Sequence, residues 1–287
     1  HDFDPARDAI AIDDLPLLDR WMLRRTADLI DSVSADFERY EFYRFFQALQ
    51  NFCVVDLSNF YLDIAKDRLY VSGATDERRR SCQTVLHLVV ESLAGLIAPV
   101  LCHMAEDIWQ NLPYAVAETS VFERGWPVAP EAWRQALSDR ELAAIGQVRD
   151  GLRPAVNRLL ESARGAGQLG SSLEAMVQIG VLPDGATADG TDPTGGAGDL
   201  EQVLAVLRTS AHPEVDNLAD WLLVSELQIG GDPLQAPLAE ATEAGLTVRV
   251  ARASGEKCER CWHYEADVGR HAAHLTLCGR CVSVLDR

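Results

Sequence analysis

Four cysteines carry the plainest chemistry in this chain of 287 residues. Cys258 and Cys261 form one Cys-x-x-Cys pair and Cys278 and Cys281 a second, sixteen residues further on. Each pair offers two soft ligands across a tight turn whose amides face the thiolates, and two such turns complete a tetrahedral four-thiolate shell. The spacing is that of a zinc ribbon. A ligand set without an open position makes the metal structural, and we expect one Zn2+. A four-thiolate tetrahedron also accepts iron, and two disulfides are the remaining arrangement of the same four residues. His263, His271 and His274 lie between the pairs and are spare ligands.

Nothing else in the chain has the spacing of an active site. There is no glycine-rich phosphate loop, no nucleophilic serine elbow, and no histidine pattern of a metalloprotease or deaminase. His87 and His103 fall in apolar helical patterns and read as packing residues. Cys53, Cys82 and Cys102 do the same and read as buried, inert thiols. Seven cysteines, an odd number with four in metal spacing, point to a reducing cytoplasm. No apolar run is long enough to span a membrane. The opening residues His1-Asp-Phe-Asp-Pro5 are acidic and unlike a signal peptide, and the absence of an initial Met suggests a piece of a longer protein.

The formal charge of −18 argues against a nucleic-acid binder until it is divided along the chain. Residues 171–244 hold thirteen acidic side chains and one basic, whereas residues 245–287 hold seven basic and five acidic. The acid is concentrated upstream of the cysteines, which leaves the tail free to meet phosphate.

The elements that must position these groups are mainly helical. Asp13-Asp14-Leu-Pro16 starts a helix whose stripe runs Leu18, Trp21, Met22, Leu29, Val33. A longer helix covers Tyr40–Tyr70, with Phe42, Phe45, Phe46, Leu49, Phe52, Cys53, Leu57, Phe60 and Ile64 forming a single apolar stripe, and Lys66 and Arg68 suiting its C-terminal dipole. Helices over Asp76–Ala98 and Val100–Leu112 complete an antiparallel bundle. Another helix spans Asp139–Arg164, with Arg149, Arg153 and Arg164 on one side, either as a solvated face or as phosphate contacts. Beyond it, Leu173–Leu182, Trp221–Ile229 and Leu246–Ala253 read as strands, Asp199–Arg208 as a short helix, and the glycine-rich Gly185–Gly198 as a flexible loop. The expected architecture is therefore a mainly α helical bundle (1–130), a connecting helix (131–170), a small α+β module (171–254) and a zinc ribbon (255–287).

Several stretches resemble the C-terminal part of the bacterial isoleucyl-tRNA synthetases, a family of class I aminoacyl-tRNA synthetases. They include Leu17-Leu-Asp-Arg-Trp21, Tyr40-Glu-Phe-Tyr43, Asn51-Phe-Cys-Val-Val-Asp-Leu-Ser58, Lys66-Asp-Arg-Leu-Tyr70, Gly170-Ser-Ser-Leu-Glu-Ala175 and Gly255-Glu-Lys-Cys-Glu-Arg-Cys-Trp262, in the family's order. The Gly-Ser-Ser-Leu-Glu-Ala stretch and the terminal ribbon distinguish this family from the valyl and leucyl enzymes. The family's lysines before that stretch are replaced here by Gly165-Ala-Gly-Gln168. The resemblance implies an anticodon-binding bundle and a zinc ribbon that folds over the anticodon stem-loop. It implies tRNA(Ile) as partner, a monomer, and a catalytic, ATP-binding part elsewhere in the same polypeptide, without which this stretch is inactive. On that reading Trp262 offers an aromatic face to an unstacked base. Arg260 and Arg280, one inside each knuckle, offset thiolate charge or reach phosphates, and Arg78, Arg79, Arg149 and Arg153 are further candidate contacts. A similar four-cysteine finger closes the formamidopyrimidine-type DNA glycosylases, so a DNA-binding finger is the rival reading, and a stand-alone zinc-ribbon interaction protein is a third.

Overall fold

The computed structural model describes residues 2–181, 194–243 and 245–286, and the chain divides into two compact units, His1–Ser138 and Asp139–Arg287.

The first unit is helical. Helix α1 (Leu17–Glu38) buries the expected stripe: Leu18, Trp21, Met22, Leu29 and Val33 are all inside. Helix α2 begins at Phe42–Asn51, widens into a π-helical stretch over Phe52–Leu62, and returns to α geometry over Asp63–Val71. Helix α3 (Glu77–Ile97), capped by the Asp76 carboxylate on the Arg78 amide at 3.0 Å, packs on α1, and the chain restarts past Pro99 as α4 (Cys102–Gln110).

The π-helical stretch overturns the single stripe expected on α2. A wider turn advances each residue through a smaller angle, so eleven residues carry the buried face far round the helix. Phe45 and Phe52 are buried before it, and Phe60, Tyr61 and Ile64 after it. Under constant α periodicity Phe42 and Phe46 would share a face with Phe60 and Ile64. They are instead 49% and 62% exposed.

The register shift also moves Arg68. It does not sit at the helix end as a dipole partner but reaches into the core, where its Nη1 donates to Asp19 Oδ1 at 2.9 Å and its Nη2 bonds both Asp19 Oδ2 and, at 2.7 Å, Ser81 Oγ. Tyr61 donates its hydroxyl to Asp19 Oδ1 at 2.7 Å. Burial pushes the Tyr61 phenol well above its usual range and the neighbouring Cys82 thiol up to about 11. One buried ion pair thus pins three helices. Of the other thiols expected to be buried, Cys53 is half-buried and Cys102 exposed; His103 is exposed too, because α4 turns only Ala105 and Trp109 inward.

In the second unit helix α5 runs Asp139–Gln147, through a π-helical turn at Val148–Leu152, to Arg153–Gly165. It packs on a four-stranded sheet of order β2-β1-β4-β3: β1 Ala175–Val181, β2 Glu226–Ile229, β3 Ala239–Glu243 and β4 Leu246–Arg252. The β1–β2 pair is parallel and the other two pairs antiparallel, with Val177 opposite Leu227 on one side and Val250 on the other. Helix α6 (Thr194–Arg208) packs on α5, and its first turn takes in residues 194–198 of the expected loop, the rest of which lies outside the described residues. The strand expected from Trp221 is shorter than its apolar run. Asn217 caps a helix, α7 (Leu218–Leu222), that buries Trp221 and Leu222, and Leu223 turns the chain at φ 58° before β2. β3, with four of its five residues exposed, gave no alternating signal. The ribbon follows as a hairpin, β5 (Glu256–Lys257) with β6 (Tyr264–Glu265), and a final helix α8 (Gly279–Leu285).

Candidate metal centre and nucleic-acid interface

The two knuckles bring Cys258, Cys261, Cys278 and Cys281 together, all buried, with their four Sγ atoms within 4.8 Å of one another. Cys261 Sγ and Cys278 Sγ are 3.7 Å apart. That is far beyond the roughly 2.05 Å of a disulfide. It matches the edge, about 3.8 Å, of a tetrahedron whose corners lie about 2.3 Å from a zinc ion. The residues therefore fit a single structural Zn2+, with all four positions taken by protein and none left for substrate.

Backbone groups tune the thiolates. Burial pushes Cys258 up, but amides of Cys261, Cys278 and Arg260 outweigh it and bring it down to about 6; the Cys278 N–H lies 3.3 Å from its sulfur. Burial holds Cys261 well above the usual thiol range despite the Arg280 guanidinium hydrogen-bonded to it, and raises Cys278 to about 11. A divalent cation overrides both, since thiolate ligands must shed their protons to bind.

The second knuckle depends on a carboxylate that its spacing did not reveal. Asp267 Oδ2 accepts from the Gly279 N–H at 2.8 Å, at the start of α8, and lies 3.1 Å from His271 Nε2. His271 thus serves Asp267 rather than the metal. The hairpin is tied to the sheet through Ser225 Oγ, which accepts from the Tyr264 N–H at 2.9 Å and donates to Leu173 O at 2.6 Å.

Trp262 is 61% exposed and so does not fill the ribbon's core. Its N–H closes the first knuckle on Cys258 O at 2.9 Å, which holds it at φ 68°, a left-handed conformation where glycine is at home. Lys257 Nζ sits 5.5 Å from the ring centre. This cation–π partner, one of two lysines in the chain, was missed in the sequence because composition alone made lysine look incidental.

The arginines divide. Arg260 is half-buried with Nη1 enclosed and lacking a hydrogen-bond partner among the described residues, while Arg280 serves Cys261. Arg78 lies 3.5 Å from Asp67, Arg79 3.0 Å from Asp2, and Arg149 3.3 Å from Asp150. Arg153 lies on the buried side of α5, is only 5% exposed, and is set aside as a phosphate contact.

Comparison with known proteins agrees with this geometry. Residues 255–284 match the family described as "Zinc finger found in FPG and IleRS". The chain is 59% identical over 286 residues to an isoleucine–tRNA ligase of Prochlorococcus marinus (strain MIT 9313). It is 59% identical over 287 residues to that of Parasynechococcus marenigrum (strain WH8102) and 57% over 288 to that of Synechococcus sp. (strain CC9311). Each comparison covers all of this chain and 28% of the relative's length. The family described as "Anticodon-binding domain of tRNA ligase" matches residues 19–179, which take in α1 from its third residue, all of α2 to α5 and most of β1. That match spans more than half of the chain, and with the helical unit and the four-cysteine ribbon both in place, the chain belongs to the anticodon-binding domain family of tRNA ligases.

Proposed function

We propose that this chain is the tRNA-binding part of an isoleucine–tRNA ligase, with tRNA(Ile) as partner and the anticodon stem-loop as the feature it grips. The observation that carries the reading is Trp262: an exposed indole held in a strained backbone position by a metal knuckle, at the end of a chain whose family binds anticodons. An indole can receive one unstacked base, a contact worth about 1–3 kcal/mol. Lys257, over the same ring, and the enclosed Arg260 supply positive charge for the flanking phosphates. On this reading the ribbon, residues 255–287, is a separate metal-dependent module. Isoleucine activation with ATP belongs to the catalytic part of the longer polypeptide, and the protein works as a cytoplasmic monomer.

A gel shift of the zinc-loaded chain against tRNA(Ile) and against duplex DNA of equal charge tests it. Preference for tRNA, reduced roughly tenfold by Trp262→Ala, is expected. Preference for duplex DNA would favour a glycosylase-type finger, and binding of neither would favour an interaction protein.

A further inference from the structure

The second unit holds a cavity that the RNA reading does not use. Helix α5, helix α6 and the β3–β4 side of the sheet enclose about 280 Å³. Close-packed interiors leave few voids larger than a water molecule, and small-molecule sites begin at about 300 Å³. Much of the lining is apolar, with Leu159, Leu200, Val203 and Val248 all buried. The π-helical turn of α5 supplies part of the wall through Asp150, Gly151 and Leu152, and such turns recur where helices form binding sites.

The polar groups of the lining are not all matched. Asp150, Asp199 and Glu243 face the cavity with one base, Arg158. The Arg158 guanidinium donates to Glu243, and Asp150 lies 3.3 Å from Arg149. Asp199 has no cation beside it among the described residues; its Oδ1 accepts from Gln147 Nε2 at 2.8 Å. That bond fixes the Gln147 amide with its Oε1 enclosed and without a donor among the described residues. One corner of the cavity thus combines a carboxylate short of a cation with an amide oxygen short of a donor. A buried acceptor in that state is costly, and one group with several N–H donors satisfies both. The thirteen acids and single base of residues 171–244 add a negative potential around it.

We propose that this cavity binds a small aliphatic primary amine. The alkyl chain lies on Leu159, Leu200, Val203 and Val248, and the ammonium sits against Asp199 and Gln147. An ammonium brings three donors and a full positive charge, which is what that corner lacks. A neutral alcohol of the same length brings one donor and no charge. A carboxylic acid would meet three carboxylates, with the only guanidinium of the lining already engaged. The site shares no residue with the proposed RNA contacts, so it goes beyond the tRNA reading and does not rest on it.

The test titrates the zinc-loaded full chain with n-pentylamine, pentan-1-ol and pentanoate, read by calorimetry at neutral pH and constant ionic strength. The amine is expected to bind saturably and about tenfold more tightly than the alcohol, and pentanoate not at all. Asp199→Asn should bring the amine down to the alcohol's affinity while leaving the alcohol unchanged. Ala241 lines the cavity from the exposed strand β3, so Ala241→Trp fills the space without disturbing the core. That variant is expected to lose both ligands with its far-ultraviolet circular dichroism unchanged. Equal affinity for amine and alcohol would overturn the proposal, as would an Asp199→Asn chain that binds the amine like the parent. Amine binding that survives Ala241→Trp would place the amine elsewhere and overturn it too, and so would the absence of saturable binding by the parent.

Discussion

Trp262 occupies a backbone position that suits glycine, and the two properties of the residue can be separated by substitution. A left-handed conformation costs a side chain about 1–2 kcal/mol relative to glycine. Trp262→Gly is therefore expected to stabilise the ribbon by about 1 kcal/mol in thermal melts while weakening stem-loop binding roughly tenfold. A variant that loses both stability and binding would show that the indole packs the ribbon after all. The Asp19–Arg68 pair poses the opposite case, a contact wholly within the core. Removing one member strands the other charge, so Arg68→Met is expected to cost about 3–5 kcal/mol in urea unfolding. Adding Asp19→Leu to Arg68→Met should restore much of that loss, because the costly state is the unpaired carboxylate rather than the absent pair.

At the scale of elements, Glu91 links α3 to the segment that follows α4, including the short helix Val121–Arg124. Its Oε1 lies 3.1 Å from His87 Nδ1 and its Oε2 3.7 Å from Arg124 Nη2. Burial pushes this carboxyl up, but His87, Arg124 and the Tyr114 hydroxyl outweigh it, and its folded value lies below the ordinary one. A depressed carboxyl adds stability above its unfolded pKa, about 4.3, and that stability is lost as pH falls through the lower folded value. Glu91→Gln should thus cost about 1 kcal/mol at neutral pH, and the gap to the parent should close in strong acid in a pH series of urea melts. The ribbon behaves differently, since its two short strands and seven-residue helix enclose little besides the cysteines. Structural zinc contributes on the order of 10–16 kcal/mol to such folds. Chelation is expected to abolish amide protection over residues 255–287 in hydrogen exchange and to leave α1 to α5 protected. Loss of far-ultraviolet helical signal with the metal would contradict that independence.

For the whole molecule, charge decides conditions rather than fold. If, as proposed, this chain of net charge −18 grips RNA through a few local cations, it should bind tRNA(Ile) with a shallow salt dependence, a log–log slope of only a few units, measured by anisotropy from low to moderate salt. A steep slope would mean many phosphate contacts and a role for Arg78, Arg79 and Arg149, which here lie beside carboxylates.

The parts legible from sequence alone are those in which local chemistry suffices. Ligand type and spacing identified the metal site, because a knuckle is built within four residues. Periodicity found α1, α3 and the cores of β1 and β4, whose buried faces follow one repeat throughout. The tertiary structure decided what depends on a change of repeat or on distant partners. The π-helical stretch of α2 turned Phe42 and Phe46 outward and Arg68 inward, which no constant period could indicate. Trp221 joined a capped helix rather than a strand because Asn217 offered its amides a better partner. Asp267 came to hold the start of α8 from twelve residues away, and Lys257 came to face Trp262, because folding the metal knuckles closes loops whose ends the sequence keeps apart.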